Sequence, residues 1–276
     1  MTTERYTRFQ PCYVLRDNDI PCIIWGEDAV AYYGVPTVVF TFYILVPDID
    51  KAANILIQRG WHLEDNARSK FGNDPLSSAH RRLMPPIDMT ENIRIQPSRG
   101  PPPPPSKLPP GPTMTILLPA PEWHFTFPSV FEGFFPPLPA LLDALIDRLL
   151  DNDPLANEIW SHLATLIAYL YSYVPALKEK SFAEYLKYEH RQYHYDTLSG
   201  MGTATFPFVR HQRKVRDALR DGNHLLCDCS ANQDDESLFT AKVEERVRAL
   251  NASSFSPEEY EIGKLRQEEY EPDCSD

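Results

Sequence analysis

No stretch of this sequence is apolar for long enough to cross a bilayer comfortably. The longest candidate, residues 159–174, is interrupted by Ser161, His162 and Ser172, whereas a spanning helix needs about 20 mostly apolar residues. A secretory leader is not expected either, because the opening MTTERYTRFQ carries charge where a leader needs an apolar run. Cysteine is sparse: Cys12, Cys22, Cys227, Cys229 and Cys274 make an odd count without framework spacing. That argues against a disulfide scaffold and fits a reducing compartment. These absences predict a cytoplasmic protein with no membrane partner.

Basic excess is missing as well. The 27 Lys+Arg residues are outnumbered by 39 Asp+Glu, leaving a net charge of −12. Such a balance repels nucleic-acid phosphates at long range, so no nucleic-acid partner is expected. From Ala231 to Asp276 there are 13 acidic and 5 basic residues, so the tail supplies most of the imbalance. A Gly-rich phosphate loop is absent: Gly200-Met201-Gly202 carries no lysine and follows no clear strand. No serine sits in a nucleophile elbow.

What is present is enough apolar material for a core. The 276 residues are 42% hydrophobic and 12% aromatic, which gives room for a sheet-containing half and a helical half. Residues 28–33 read as a short helix closed by Gly34 and Pro36. Residues 37–46 are β-branched and aromatic, the signature of a buried strand ended by Pro47. Asp48 is placed to cap a following helix, on which Ile49, Ala52, Ala53, Leu56 and Ile57 recur at helical spacing before Gly60 stops it. Residues 61–63 begin a further strand and residues 114–118 (MTILL) another.

Between those strands runs a proline-rich loop, about residues 97–112, which favours an extended conformation. Beyond Phe135 the pattern is helical, with helices expected over 137–150, 154–174, 182–195, 208–220 and 239–250. The expected organisation is an α/β domain over 1–125 with the inserted loop, a helical domain over 135–250 and an acidic tail over 251–276. The fold class is α/β (α+β): a small mixed sheet flanked by helices, followed by a helical half.

The order Gly26-Glu27, Ala29-Val30-Ala31, Gly34-Val35-Pro36-Thr37 and Thr41-Phe42-Tyr43-Ile44-Leu45-Val46 resembles the nucleotidyltransferase-fold superfamily, particularly its toxin-like branch, over residues 21–60. In that family a small-residue pair opens a helix, and a Gly-containing turn leads to a strand carrying Asp-x-Asp. Residues i and i+2 of a strand share a face, so the two carboxylates grip Mg²⁺ side by side. The resemblance puts Thr41 and Tyr43 at those two positions, where neutral hydroxyls replace anions, and Glu27 where a second small residue belongs. It implies Gly26, Thr41 and Tyr43 as nucleotide-binding positions lining a cleft between the two halves. No catalytic residue, metal ligand or cofactor is assigned.

The implied function is a catalytically impaired nucleotidyltransferase-like protein acting in binding or scaffolding. Its partner would be a nucleotide, a small phosphorylated ligand or a protein. One alternative is an active, Mg²⁺-dependent transferase with carboxylates relocated to Asp48, Asp50 or Glu122. Another is an interaction module working through the proline-rich tract and the acidic tail. Residues 43–61 also resemble the strand–helix opening of a glyoxalase-type metal-chelating module, which needs a repeated unit; no second copy is present.

Two further clusters call for a reading. His190 and His194 stand four apart on an expected helix, a spacing that permits zinc chelation, although the surrounding tyrosines favour aromatic packing. Arg210, Arg213, Lys214, Arg216 and Arg220 fall on one helix. They are expected to form a solvated face, or to bind a phosphate or the acidic tail.

Overall fold

The computed structural model describes residues 8–64, 69–72, 74–86, 113–127, 133–152, 159–202 and 205–231. Residues Met1–Ser230 form one compact unit and Ala231–Asp276 a second. The proline-rich loop, the expected helix over 239–250 and the acidic tail lie outside the described residues.

The described strands of the main sheet are β1 (Ile23–Trp25), β2 (Phe42–Val46), β3 (His62–Leu63), β6 (Arg81–Met84) and β7 (Thr115–Pro119), in the order β1-β2-β7-β6-β3. Only β2 and β7 pair in parallel, with Phe42 opposite Thr115 and Val46 opposite Pro119; the other pairs are antiparallel. A small separate hairpin joins β4 (Lys70–Phe71) to β5 (Asp74–Pro75). The architecture is therefore α/β with a mixed sheet, as the sequence predicts.

The continuous apolar run of β2 has a direct cause. Successive side chains point to opposite faces, and both faces are covered. Phe42, Ile44 and Val46 join a cluster with Cys12 and Leu15 of α1 (Gln10–Arg16) and Ala52, Ala53 and Leu56 of α3 (Ile49–Gln58). Tyr43 and Leu45 face the other way, into a larger cluster with α2 (Glu27–Tyr32), α4 (Leu138–Asp151) and α5 (Trp160–Tyr173). That core runs without a break from the sheet into the helical half.

Boundaries differ from the sequence reading at three places. Residues 37–41 are not strand; the carbonyls of Phe40 and Thr41 instead accept hydrogen bonds from the Arg8 guanidinium, each at 3.2 Å. The helix expected over 182–195 is instead 3-10 turns at Lys180–Tyr185 and Tyr188–His190, followed by α6 (Arg191–Leu198). Between the turns the Lys187 amide donates to the Asp143 carboxylate rather than to a helical carbonyl. The last described helix, α7, spans Phe206–Arg220, with Thr205 as its cap.

Candidate functional site

The positions suggested by the resemblance lie where β1, α2 and β2 converge. Gly26 precedes α2 with φ +64°, a left-handed conformation that glycine adopts without strain. A Cβ there would stand 3.0 Å from Cδ2 of Tyr43 and 3.3 Å from the Phe71 ring, so glycine is required by close packing as well as by φ. Tyr43 is 2% exposed, and its hydroxyl donates to the Lys70 carbonyl at 2.6 Å. Burial, and after it the charge of Glu27, pushes the Tyr43 pKa well above the ordinary tyrosine value, against hydrogen bonding from Thr41 and Gly72. Thr41 stands just before β2 and is partly buried. The structure thus packs Gly26 on Tyr43, with Thr41 just before it, but Tyr43 belongs to the buried core rather than lining a cleft as expected.

Sequence reasoning does not find what packs against them. Phe71, from the small hairpin, lies 4.9 Å from the Tyr43 ring, 4.7 Å from Trp123 and 4.9 Å from the His162 imidazole, measured between ring centroids. His162, from the first turn of α5, reaches Glu27 Oε1 with Nε2 at 3.0 Å. A Cβ on Gly72 would fall 2.2 Å from His162 Nδ1, so the hairpin must carry glycine there. The neighbourhood of Tyr43 is filled with aromatic side chains and closed by an acid–imidazole contact.

The other carboxylates near β2 are occupied. Asp28 is bound by both arms of the Arg8 guanidinium at 2.7 Å; burial raises its pKa even against that charge. Asp48 caps α3, accepting from the amides of Asp50 and Lys51 at 3.0 and 2.9 Å, as expected. Asp50 pairs with Arg81. Glu122 is exposed on the 3-10 turn (Ala120–Trp123) that follows β7.

A second cluster of ionisable groups sits in the helical half. His190 is fully buried, with Nδ1 2.7 Å from Asp143 Oδ1 and Nε2 3.0 Å from Asp147 Oδ1, both carboxylates coming from α4. Two ring nitrogens facing two carboxylates require both to carry protons, so the ring is an imidazolium. Burial pulls its pKa down, but the two aspartates outweigh that and raise it. Asp147 also receives Lys187 Nζ at 2.7 Å and Arg220 Nη2 at 3.0 Å. Burial opposes its ionisation, yet His190 first and then Lys187 hold its pKa well below the usual carboxylate range.

The packing reading of the histidine pair holds, with His194 set among Tyr171, Phe182 and Tyr195, whereas the basic helix needs correction. His194 does not share a site with His190; its Nδ1 meets the Tyr171 hydroxyl at 2.9 Å and its Nε2 the Glu179 carbonyl at 3.0 Å. Among the described residues no group of three or more His, Cys, Asp or Glu is arranged to hold a metal ion. Of the basic residues, Arg210, Lys214 and Arg220 are exposed as expected, but Arg213 and Arg216 do not belong to a solvated face. Arg213 binds the Leu150 and Asn152 carbonyls at the end of α4, and Arg216 is 5% exposed, with Nη1 2.7 Å from Asp151 Oδ1. The Leu150, Asn152 and Asp151 partners lie more than sixty residues earlier in the chain, beyond the reach of helical periodicity.

No helix among the described residues is long and apolar enough to cross a membrane. No family model, curated protein or solved structure matches the chain.

Proposed function

We propose that this is a nucleotidyltransferase-like protein of the cytoplasm that has lost metal-dependent transfer and acts by binding or scaffolding. The reading rests on one observation: at the position where the resemblance calls for a metal-gripping carboxylate stands Tyr43, buried and hydrogen-bonded to the Lys70 carbonyl. A neutral, donating hydroxyl is a poor ligand for Mg²⁺, which selects anionic oxygen. The nearby carboxylates Asp28, Glu27, Asp50 and Asp48 are committed to Arg8, to His162, to Arg81 and to the α3 cap.

Glu27 and Asp28 also occupy the first turn of α2, where a free helix N-terminus would otherwise attract phosphate. This favours a protein over a nucleotide or a small phosphorylated ligand as partner. Calorimetric titration with ATP and CTP, with and without Mg²⁺, tests the reading. It expects no metal-dependent heat and no turnover; tight Mg²⁺-dependent binding or released pyrophosphate overturns it.

One observation favours an active enzyme as a second reading. Strands β2 and β7 are parallel, with Val46 opposite Pro119, so Asp48, Asp50 and Glu122 follow the same, carboxyl-terminal edge of the sheet. Ligands of α/β sheets bind at that edge. This version requires a transfer activity that Asp50→Ala and Glu122→Ala abolish; activity that survives both excludes it.

A further inference from the structure

We propose that Cys12 and Cys22 are a redox-closable pair: a low-molecular-weight disulfide of the glutathione class converts the two thiols to a Cys12–Cys22 disulfide that staples α1 to β1. Both residues are buried in the same apolar cluster, at 0% and 4% exposure, and both are free thiols. The Cys22 thiol donates to the Cys12 carbonyl, with Sγ 3.7 Å from that oxygen. The chain between them reverses tightly: the Asn18 and Ile20 amides both return to the Leu15 carbonyl, at 3.1 and 2.9 Å, and Asp19 takes φ +57°. This turn folds the residue after α1 back along the helix and delivers Cys22 beside Cys12, one residue before β1 begins. Burial, and after it the neighbouring Cys22 thiol, raises the Cys12 pKa.

The exchange balances. A thiolate from one cysteine attacks the small disulfide, forming a mixed disulfide and expelling one thiolate. The second cysteine, deprotonated, then attacks the protein-side sulfur and expels the other. Two S–H bonds are lost and one S–S bond forms; the small disulfide gains the two electrons and two protons as two thiols. Burial makes the thiolate scarce, so the first attack waits for opening of α1, a helix of seven residues. Burial thus sets the rate, while the contact of the Cys22 thiol with the Cys12 backbone favours the intramolecular product over the mixed disulfide.

Closure would tie α1 to the strand that leads into Gly26. Arg8, just before α1, already clamps Asp28 in the first turn of α2. The staple therefore stiffens the same corner of the sheet from the opposite face. Cys227 and Cys229 are exposed and would react first, so they must be removed before the buried pair is examined.

The test uses the full chain carrying Cys227→Ser, Cys229→Ser and Cys274→Ser, equilibrated in glutathione buffers of increasing oxidised fraction. Free thiols are trapped by alkylation and the protein is mapped by mass spectrometry. The expected result is a Cys12–Cys22 cross-linked peptide that grows with the oxidised fraction and is reversed by dithiothreitol. It forms faster in mild urea, and the oxidised protein melts at a higher temperature. If both thiols stay reduced across the series, or only glutathione adducts and intermolecular dimers form, the pair is not redox-closable. A disulfide that leaves the melting temperature unchanged or lower overturns the staple.

Discussion

The Glu27 carboxylate on α2 stands 3.0 Å from Nε2 of His162 on α5. Side-chain exposures of 13% and 17% put the pair largely out of water, so it joins the sheet layer to the helical half where solvent screening is weak. Gly72 lies directly beneath the imidazole. Adding a methyl group at Gly72, where φ is +60°, strains the backbone and drives Cβ into the ring. Gly72→Ala should cost about 2–4 kcal/mol, read as a lower urea midpoint. Glu27→Gln keeps the shape and removes the charge, and should cost about 1–3 kcal/mol. Equal midpoints for wild type and Gly72→Ala would show that His162 does not rest there.

Tyr43 offers a finer probe of the same place. Tyr43→Phe leaves the ring packed on Phe71 and removes only the donor to the Lys70 carbonyl. The expected loss is about 1 kcal/mol. Tyr43→Asp supplies the carboxylate that the proposed resemblance calls for but inserts it among Phe71, Trp123 and Leu45, where an unpaired charge is costly. The doubly substituted Thr41→Asp/Tyr43→Asp chain should lose cooperative unfolding by calorimetry, and millimolar Mg²⁺ should not restore it. Recovery with Mg²⁺ would instead mean that the metal site can be rebuilt.

His190 makes stability depend on pH with a definite sign. Its folded-state pKa is raised by Asp143 and Asp147 in spite of burial, so the folded state holds its proton more tightly than the unfolded chain. The contribution is fully present below the unfolded value of about 6.5 and is lost as pH rises through the folded value. Asp147, with its pKa depressed, acts oppositely: its contribution is present above the unfolded carboxylate value of about 3.9 and is lost as pH falls through the folded one. Urea midpoints across the pH range should therefore decline on the alkaline side in the wild type, and His190→Gln should flatten that decline. The substitution should also cost about 3–5 kcal/mol near neutral pH, because two buried carboxylates lose their shared cation. An unchanged alkaline slope would remove His190 as its source.

These groups show where the sequence could and could not be read. The Asp48 cap, the following helix and the core strand were legible because each is a local pattern: a capping side chain, a 3.6-residue period, a run of β-branched and aromatic residues. The same β-forming composition over Thr37–Thr41 misled, because the carbonyls of Phe40 and Thr41 are bound by Arg8, thirty-two and thirty-three residues earlier. At the candidate site, the convergence of Gly26 with Tyr43 followed from the resemblance. Phe71 and His162 did not, since they arrive from a two-residue strand and from a helix over a hundred residues downstream of β2. Long-range side-chain partners leave no periodic trace.

Arg216 gives that distinction an energetic measure. Its side chain is 6% exposed, bonds Asp151 Oδ1, itself 39% exposed, at 2.7 Å, and lies 3.7 Å from Oδ1 of Asp147, 3% exposed. The Arg81–Asp50 pair has a similar separation, 2.6 Å, but exposures of 37% and 65%. Distance alone would rank the two together; solvent access separates them. Water and salt screen the exposed pair, so Arg81→Ala should cost about 1 kcal/mol or less, and the difference should shrink toward zero at 1 M salt. Arg216→Ala leaves Asp147 short of one cation and removes packing between α4 and α7; its cost should be about 3–5 kcal/mol and nearly independent of salt. Denaturant unfolding of both variants at low and high ionic strength makes the comparison. If the Arg216 effect faded with salt as the Arg81 effect does, the basic stretch of α7 would be a solvated face after all.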